Sequence, residues 1–146
     1  MSASDPACLF CNIISGAIDA KGMLIRTPHA IAFLDAHPIA PGHALVVPVS
    51  HAPLLQDLDI QEIAPLFQVV QTVTGAVQHA VNAPAATIGI NNGTEAGQAI
   101  HHLHIHIMPR FSDDGGVSIH TVVHNPPQES QEVIVEKIKK FITTST

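Results

Sequence analysis

The sequence predicts an α+β fold with a mainly antiparallel β-sheet. Short β-rich runs lie on both sides of one long helical segment, so the order along the chain is strands, helix, strands and a tail. The chain has 146 residues, a length typical of a single domain, and 46% of them are hydrophobic. Its core must be aliphatic, because the chain contains five Phe and neither Trp nor Tyr.

Several short elements are predicted ahead of the long helix. Residues 8–15 fit a short helix or turn that carries both cysteines of the chain. Runs at 23–26 and 30–35 are strand-like and are separated by the turn signal Thr27-Pro28-His29. Residues 43–49 form a third β-rich run before the helix.

The long helix is predicted from a cap and from helical spacing. Asp59 can cap its first turn, with Glu62 as a capping-box partner. Pro65 predicts a kink or a late start, because proline lacks an N–H and clashes with the preceding turn. Apolar residues at helical spacing then continue to Asn82; they are Ile63, Phe67, Val70, Val73, Val77 and Val81.

Two further strands and a final helix are expected after it. A strand at 86–91 and a loop at 92–97 precede a strand at 100–109 that is rich in histidine. A last helix is indicated by apolar residues between Val133 and Ile142, with lysines in its last turns that complement the helix dipole.

The histidine-rich strand is the most informative part of the chain. Side chains alternate between the two faces of a strand, so His102, His104 and His106 are expected in a row on one face. The apolar residues between them would point into the core. Histidine is the side chain whose ordinary pKa lies closest to neutrality, so such a row indicates handling of protons, metal or phosphate.

Composition excludes several classes of function. The formal charge is −6 and only six residues are Lys or Arg, which argues against a nucleic-acid surface. No apolar run approaches the ~18 residues needed to span a bilayer, and the N-terminus does not resemble a secretory signal. We expect a protein of the cytoplasm, and of the nucleus as well, that contacts neither membrane nor nucleic acid.

The segment His102-Leu103-His104-Ile105-His106-Ile107-Met108 fits the histidine triad pattern, in which three histidines alternate with apolar residues. Pro41-Gly42-His43 and the Gly97-Gln98 pair stand upstream at the expected distances. The chain therefore resembles the histidine triad family, and within it the Hint branch, over residues of about 8–110. The resemblance implies one domain over 1–146, with 111–146 as an extension, a five-stranded antiparallel sheet, one long helix, a short N-terminal helix and a homodimer.

The resemblance also implies a chemistry and a site. His104 would attack the α-phosphorus of a nucleotide, with His102, His106 and His43 as further catalytic residues. Ala99 departs from the family, which usually has Ser or Thr there, and this affects contact with the leaving group. The nucleotide-binding residues implied by the resemblance are Phe33, Leu34, Asp35, Ala36, Asn91, Gly97, Gln98, Ala99, His104 and His106.

Cys8 and Cys11 form a second candidate site. A lone C-x-x-C is a weak signal, and a pair of small buried hydrophobes is the simpler interpretation. In members of the family with this motif, two cysteines, a histidine at the position of His51 and the first triad histidine, here His102, bind a structural zinc. Such a Cys₂His₂ set is closed and tetrahedral, and the chemistry at His104 needs no cofactor.

Three functions are compatible with these features. The first is hydrolysis of purine nucleoside 5′-phosphoramidates, such as adenosine 5′-monophosphoramidate, through a covalent nucleotidyl-histidine. The second is hydrolysis of dinucleoside polyphosphates, as in the Fhit type. The third is a nucleotide-binding interaction protein, against which the intact His104 argues.

Overall fold

The computed structural model describes residues 4–142 and confirms the α+β prediction. Five antiparallel strands form one sheet in the order β1-β2-β3-β5-β4. The strands are β1 (Met23–Arg26), β2 (Ala30–Leu34), β3 (Ala44–Pro48), β4 (Ala85–Gly89) and β5 (Ile105–Arg110). The α-helices are α1 (Leu9–Ser15), α2 (Ile60–Val81) and α3 (Gln131–Lys139).

The chain divides into two compact units, of which the first ends at Gly116 and the second begins at Val117. The first contains the sheet, α1 and α2. The second contains α3, whose first turn is capped by the Ser130 side chain. Its last turn carries Lys137 and Lys139, and these lysines are the ones that the sequence predicts. Within residues 4–142, no helix is both long and apolar enough to cross a membrane.

Helix α2 starts earlier than Pro65 suggests. The Asp59 side chain accepts a hydrogen bond from the backbone N–H of Gln61, and the helix runs unbroken from Ile60 to Val81. The expected late start is therefore wrong, and the alternative, a kink at Pro65, stays a prediction. The carbonyl that Pro65 leaves without an N–H partner belongs to Gln61, which is exposed and accessible to water. Glu62 serves a different purpose from the predicted capping box, because its carboxylate lies 3.0 Å from Nδ1 of His29.

Both faces of the sheet are covered. One face packs against α2, and the shared cluster includes Leu66, Val70 and Val73 of the helix with Val46 and Ile107 of the sheet. The opposite face packs against α1 in a second cluster, which is formed by Cys8, Phe10, Cys11, Ile13, Ile31, Phe33, Leu45 and Val47. The functional residues described below lie on the α1 face.

The histidine strand is shorter than predicted. It begins at Ile105 rather than at residue 100, because β3 pairs with β5 only from Val46↔Ile105 to Ala44↔Ile107. Before that point the backbone bonds elsewhere: the N–H of Leu103 donates to the carbonyl of Ala52. The alternation of faces nevertheless holds, and Leu103, Ile105 and Ile107 are buried in the α2 cluster.

Candidate functional site

His104 is held in a defined tautomer by the backbone of His102. Its Nδ1 lies 2.8 Å from the carbonyl oxygen of His102. A carbonyl only accepts, so Nδ1 carries the proton and Nε2 keeps its lone pair. Among residues 4–142, no group forms a hydrogen bond with that Nε2. His104 is 8% exposed, so the direction of its ring is fixed by its surroundings, and the unbonded Nε2 is accessible.

His43 and His106 form a second ordered chain. The backbone N–H of Ile39 donates to Nδ1 of His43 at 3.3 Å, so the proton of His43 is on Nε2. That Nε2 donates to Nδ1 of His106 at 3.0 Å, which leaves the proton of His106 on its own Nε2. The ring of His106 is 5.1 Å from that of His104, centroid to centroid. The site therefore presents a lone pair on His104 beside an N–H donor on His106.

The carboxylate of Asp35 lies next to the hydrogen-bonded pair His43 and His106. Its Oδ1 accepts a hydrogen bond from the backbone N–H of His37, and its Oδ2 is 3.5 Å from Nε2 of His43 and 4.0 Å from Nδ1 of His106. These three side chains could hold a metal by distance alone. The proton order argues against it, because Nε2 of His43 carries the proton that a metal would have to displace.

Burial keeps these imidazoles neutral. It lowers the pKa of His43, which Asp35 partly offsets, and it lowers the pKa of His106, with a further contribution from His104 and His43. The neutral forms are the ones that the hydrogen-bond chain requires. The site is thus preorganised for neutral pH and slightly below.

Cys8, Cys11, His51 and His102 converge as the resemblance implies. The Nδ1 of His102 is 3.4 Å from Sγ of Cys8 and 3.6 Å from Sγ of Cys11. The Nδ1 of His51 is 3.3 Å from Sγ of Cys11 and 3.1 Å from Nδ1 of His102. A tetrahedral zinc with ordinary bond lengths sets its N and S ligands roughly 3.3–3.8 Å apart. The four residues can hold a metal ion.

The proton of His102 supports this fit. Its Nε2 lies 2.8 Å from the carbonyl oxygen of Pro48, so that nitrogen carries the proton and Nδ1 offers a lone pair to the cluster. Burial lowers the pKa of His102 to about 4, although the Pro48 carbonyl opposes the shift. A neutral imidazole is the form that ligates metal. Burial also raises the pKa of the Cys11 thiol.

Phe10 is a site residue that the sequence did not reveal. It lies between the two cysteines on α1, and its ring makes edge contacts with His102 at 5.9 Å, His104 at 5.1 Å and Phe33 at 5.7 Å between centroids. No sequence motif marks an apolar residue inside a C-x-x-C as part of a site. The contacts of Phe10 arise only when α1 packs on the sheet.

The remaining residues of the implied nucleotide site differ in placement. Phe33 is buried on the α1 face, whereas Leu34 is 41% exposed at the end of β2. The residues of the site that lie exposed on loops are Ala36, Asn91, Gly97 and Ala99. Gln98 is buried, and its side chain bonds only to backbone groups among residues 4–142. His43 contacts His106 rather than His104.

The family model described as HIT domain matches residues 18–113. The chain belongs to the histidine triad family. It is 42% identical over 89 residues to the "Bis(5'-nucleosyl)-tetraphosphatase [asymmetrical]" of Schizosaccharomyces pombe, an alignment that covers 61% of this chain and about half, 49%, of that protein. It is 34% identical to the "Adenosine 5'-monophosphoramidase" of the same organism over 113 residues, 77% of this chain and 81% of that one.

Solved structures agree with this assignment. A HIT family protein from Bacillus subtilis superposes with a TM-score of 0.83 at 28% identity, over 95% of this chain and 99% of that chain. The named relatives of this histidine triad protein are hydrolases that act on nucleotides. Their different substrates show that the family alone does not fix the leaving group.

Proposed function

We propose that this histidine triad protein hydrolyses purine nucleoside 5′-phosphoramidates. The observation that carries the proposal is the fixed tautomer of His104, whose Nδ1–H is bonded to the His102 carbonyl and whose Nε2 forms no hydrogen bond with any group among residues 4–142. A binding protein would not need a nucleophile so arranged.

The reaction follows from the proton order. Nε2 of His104 forms a bond to the α-phosphorus while the phosphorus–nitrogen bond breaks. The departing nitrogen takes a proton from solvent, which the attacking water of the second step returns, so a neutral amine leaves. Because Nδ1 keeps its proton, the adduct is a cationic imidazolium, which is a good leaving group. Water then attacks phosphorus, the P–Nε2 bond breaks, and the nucleoside monophosphate leaves. The Nε2–H of His106 would stabilise the phosphoryl oxygens in both steps.

Charge favours an amine over a polyphosphate leaving group. Residues 4–116 contain three Lys or Arg: Lys21, Arg26 and Arg110. Arg26 donates to the carbonyls of Ile13 and Ile14, and Arg110 is paired with Asp114. A polyphosphate carries several negative charges and normally requires clustered cations. Hydrolysis of dinucleoside polyphosphates is the second candidate, favoured by the 42% identity with the tetraphosphatase.

Zinc is the metal we propose for Cys8, Cys11, His51 and His102. The two-sulfur, two-nitrogen donor set and the spacing of its atoms support it. Zinc would tie α1 to the loops that carry His51 and His102, and no step of the reaction requires it.

We further propose that two copies of the chain pair through β4 and α2. β4 is an edge strand of the sheet, with backbone groups available for pairing on one side. Phe67 belongs to the apolar pattern of α2, yet it is 40% exposed, whereas Val70, Val73 and Val77 of the same pattern are buried. A two-fold contact would cover both features.

A substrate comparison tests the reaction. Purified protein is incubated with adenosine 5′-monophosphoramidate and, separately, with diadenosine tetraphosphate, and products are followed by phosphorus NMR. We expect faster turnover of the phosphoramidate. His104→Asn should lower the rate by about 100-fold or more, since it removes the nucleophile. The matched control is His101→Asn, an exposed neighbouring histidine, which should keep the wild-type rate.

Other outcomes would decide against the proposal. Faster turnover of diadenosine tetraphosphate would favour the second candidate. A His104→Asn protein with more than about a tenth of the wild-type rate would refute the nucleophile. Binding of AMP without turnover of either substrate would indicate a nucleotide-binding interaction protein.

A further inference from the structure

Gln98 has every side-chain proton engaged by the backbone. Its Nε2 donates to the carbonyl of Pro53 at 2.7 Å and to the carbonyl of Ile100 at 3.0 Å, and its Oε1 accepts from the N–H of Gly93 at 2.9 Å. The orientation of the amide is unambiguous, because exchanging N and O would set like groups against each other at all three contacts. At 4% exposure, Gln98 is the one buried polar or charged residue of the described chain that is not a histidine.

The three backbone groups belong to three segments around the site. Pro53 follows the candidate metal ligand His51 by two residues, and Ile100 precedes His102 by two. Gly93 opens the loop that carries Gly97 and follows Asn91. The Gln98 amide therefore joins this loop to both histidine-bearing segments.

The loop itself is closed on Gly93. The carbonyl of Gly93 accepts hydrogen bonds from the backbone N–H groups of Ala96 and Gln98, both at 3.1 Å. Asn92 adds a second attachment: its Oδ1 accepts from the N–H of Leu55 at 2.8 Å. With Gln98 removed, the loop would be anchored to the 53–56 region through Asn92 alone among these side chains.

We propose that Gln98 is a positioning residue, whose side-chain amide holds the 91–99 loop beside His104 instead of binding the nucleotide. The proposal deepens the proposed function, on which its kinetic part rests. The loop follows β4, whose last residue Gly89 pairs with His106, and it carries Ala99, where the family resemblance implies contact with the leaving group. Its correct position matters most when the bond at phosphorus breaks, and misplacement by about 1 Å can cost about 100-fold in rate.

Gln98→Met tests the amide with little change in side-chain length. It leaves two carbonyls and one N–H without their partner. We expect kcat for the phosphoramidate to fall by about 10-fold or more, whereas the Kd for AMP, which lacks the leaving group, changes by less than about threefold. The matched control is Gln61→Met, the same replacement at an exposed glutamine of α2, which should behave as wild type.

Backbone hydrogen exchange measures the positioning without relying on activity. The amide of Gly93 should exchange at least about 10-fold faster in Gln98→Met than in wild type, because its acceptor is gone. Gln98→Glu keeps that acceptor and removes both donors, so it should protect Gly93 while still lowering kcat. Where Gln98→Met does not fold, Gln98→Asn replaces it, because its shorter amide cannot reach all three backbone groups.

The outcomes separate this proposal from the proposed function. If wild type turns over neither substrate but Gly93 loses protection in Gln98→Met, the proposed function fails and the anchoring holds. Unchanged exchange at Gly93 in Gln98→Met would overturn the anchoring. A fall in AMP affinity parallel to the fall in kcat would show that the side chain binds the nucleotide directly.

Discussion

The low pKa of His102 makes the stability of the metal-free protein depend on pH in a calculable way. Burial lowers this pKa from 6.5 to about 4, so the neutral ring is favoured in the folded state. Between these two values the unfolded chain binds more protons than the folded one. The free energy of unfolding must therefore fall as pH falls through this window, and the contribution is fully present only above about pH 6.5.

The magnitude follows from the two pKa values. Their difference corresponds to about 3 kcal/mol over the whole window, at about 1.4 kcal/mol per pH unit. Between pH 7 and pH 4.5, where folded His102 is still mostly neutral, the expected loss is about 2 kcal/mol. His43 and His106, whose pKa values are also lowered, add losses of the same sign.

Urea denaturation with a chelator present isolates the His102 contribution. Free energies of unfolding are measured at pH 7 and pH 4.5 for wild type and for His102→Gln, in which the amide can still donate to the Pro48 carbonyl. The variant should lose about 2 kcal/mol less than wild type over this interval. His120→Gln, at an exposed histidine of the second unit, is the control and should follow wild type. Equal losses in wild type and His102→Gln would refute the reasoning.

Three further predictions concern metal, assembly and the leaving group. Protein made with zinc available should carry one metal per chain, and Cys8→Ala should lower both metal content and melting temperature; a metal content near zero by elemental analysis would return Cys8 and Cys11 to a purely packing role. Light scattering at micromolar concentration should give the mass of a dimer, and a monomer would contradict pairing through β4 and α2. Ala99→Ser adds a hydroxyl on the exposed loop and should change kcat/KM between phosphoramidates with different amines by several-fold, without changing AMP affinity; a uniform effect on all substrates would argue against a leaving-group contact.

The periodicity of apolar residues predicts most of the helices and strands. The positions of β1, β2, β3 and β4 agree with the predicted segments to within a residue or two, and α2 ends one residue before the predicted end at Asn82. Where prediction failed, a nonlocal bond decided. β5 starts at Ile105 because β3 offers no partner beyond Val46, a fact that the alternating pattern cannot contain. The start of α2 is decided locally: the Asp59 cap that the sequence predicts places it at Ile60, and the expectation of a late start at Pro65 is wrong.

The candidate site divides in the same way. The spacing of His104 and His106 predicts that they share one face, because residues i and i+2 of an extended chain point to the same side. The family resemblance indicated Cys8, Cys11, His51 and His102. Their meeting depends on contacts across long separations, such as the 94 residues between Cys8 and His102.

The sequence by itself determined which groups are available: alternating histidines, a C-x-x-C, and an apolar pattern that forms a sheet covered on both faces. Only the tertiary structure decided the proton positions. The Pro48 carbonyl, the His102 carbonyl and the Ile39 N–H set the tautomers of His102, His104 and His43 in turn. The tautomer of a histidine depends on what its other nitrogen bonds. The partner of His102 is 54 residues away in the sequence, and the carbonyl of His102 reaches the His104 ring only in the folded conformation of that segment.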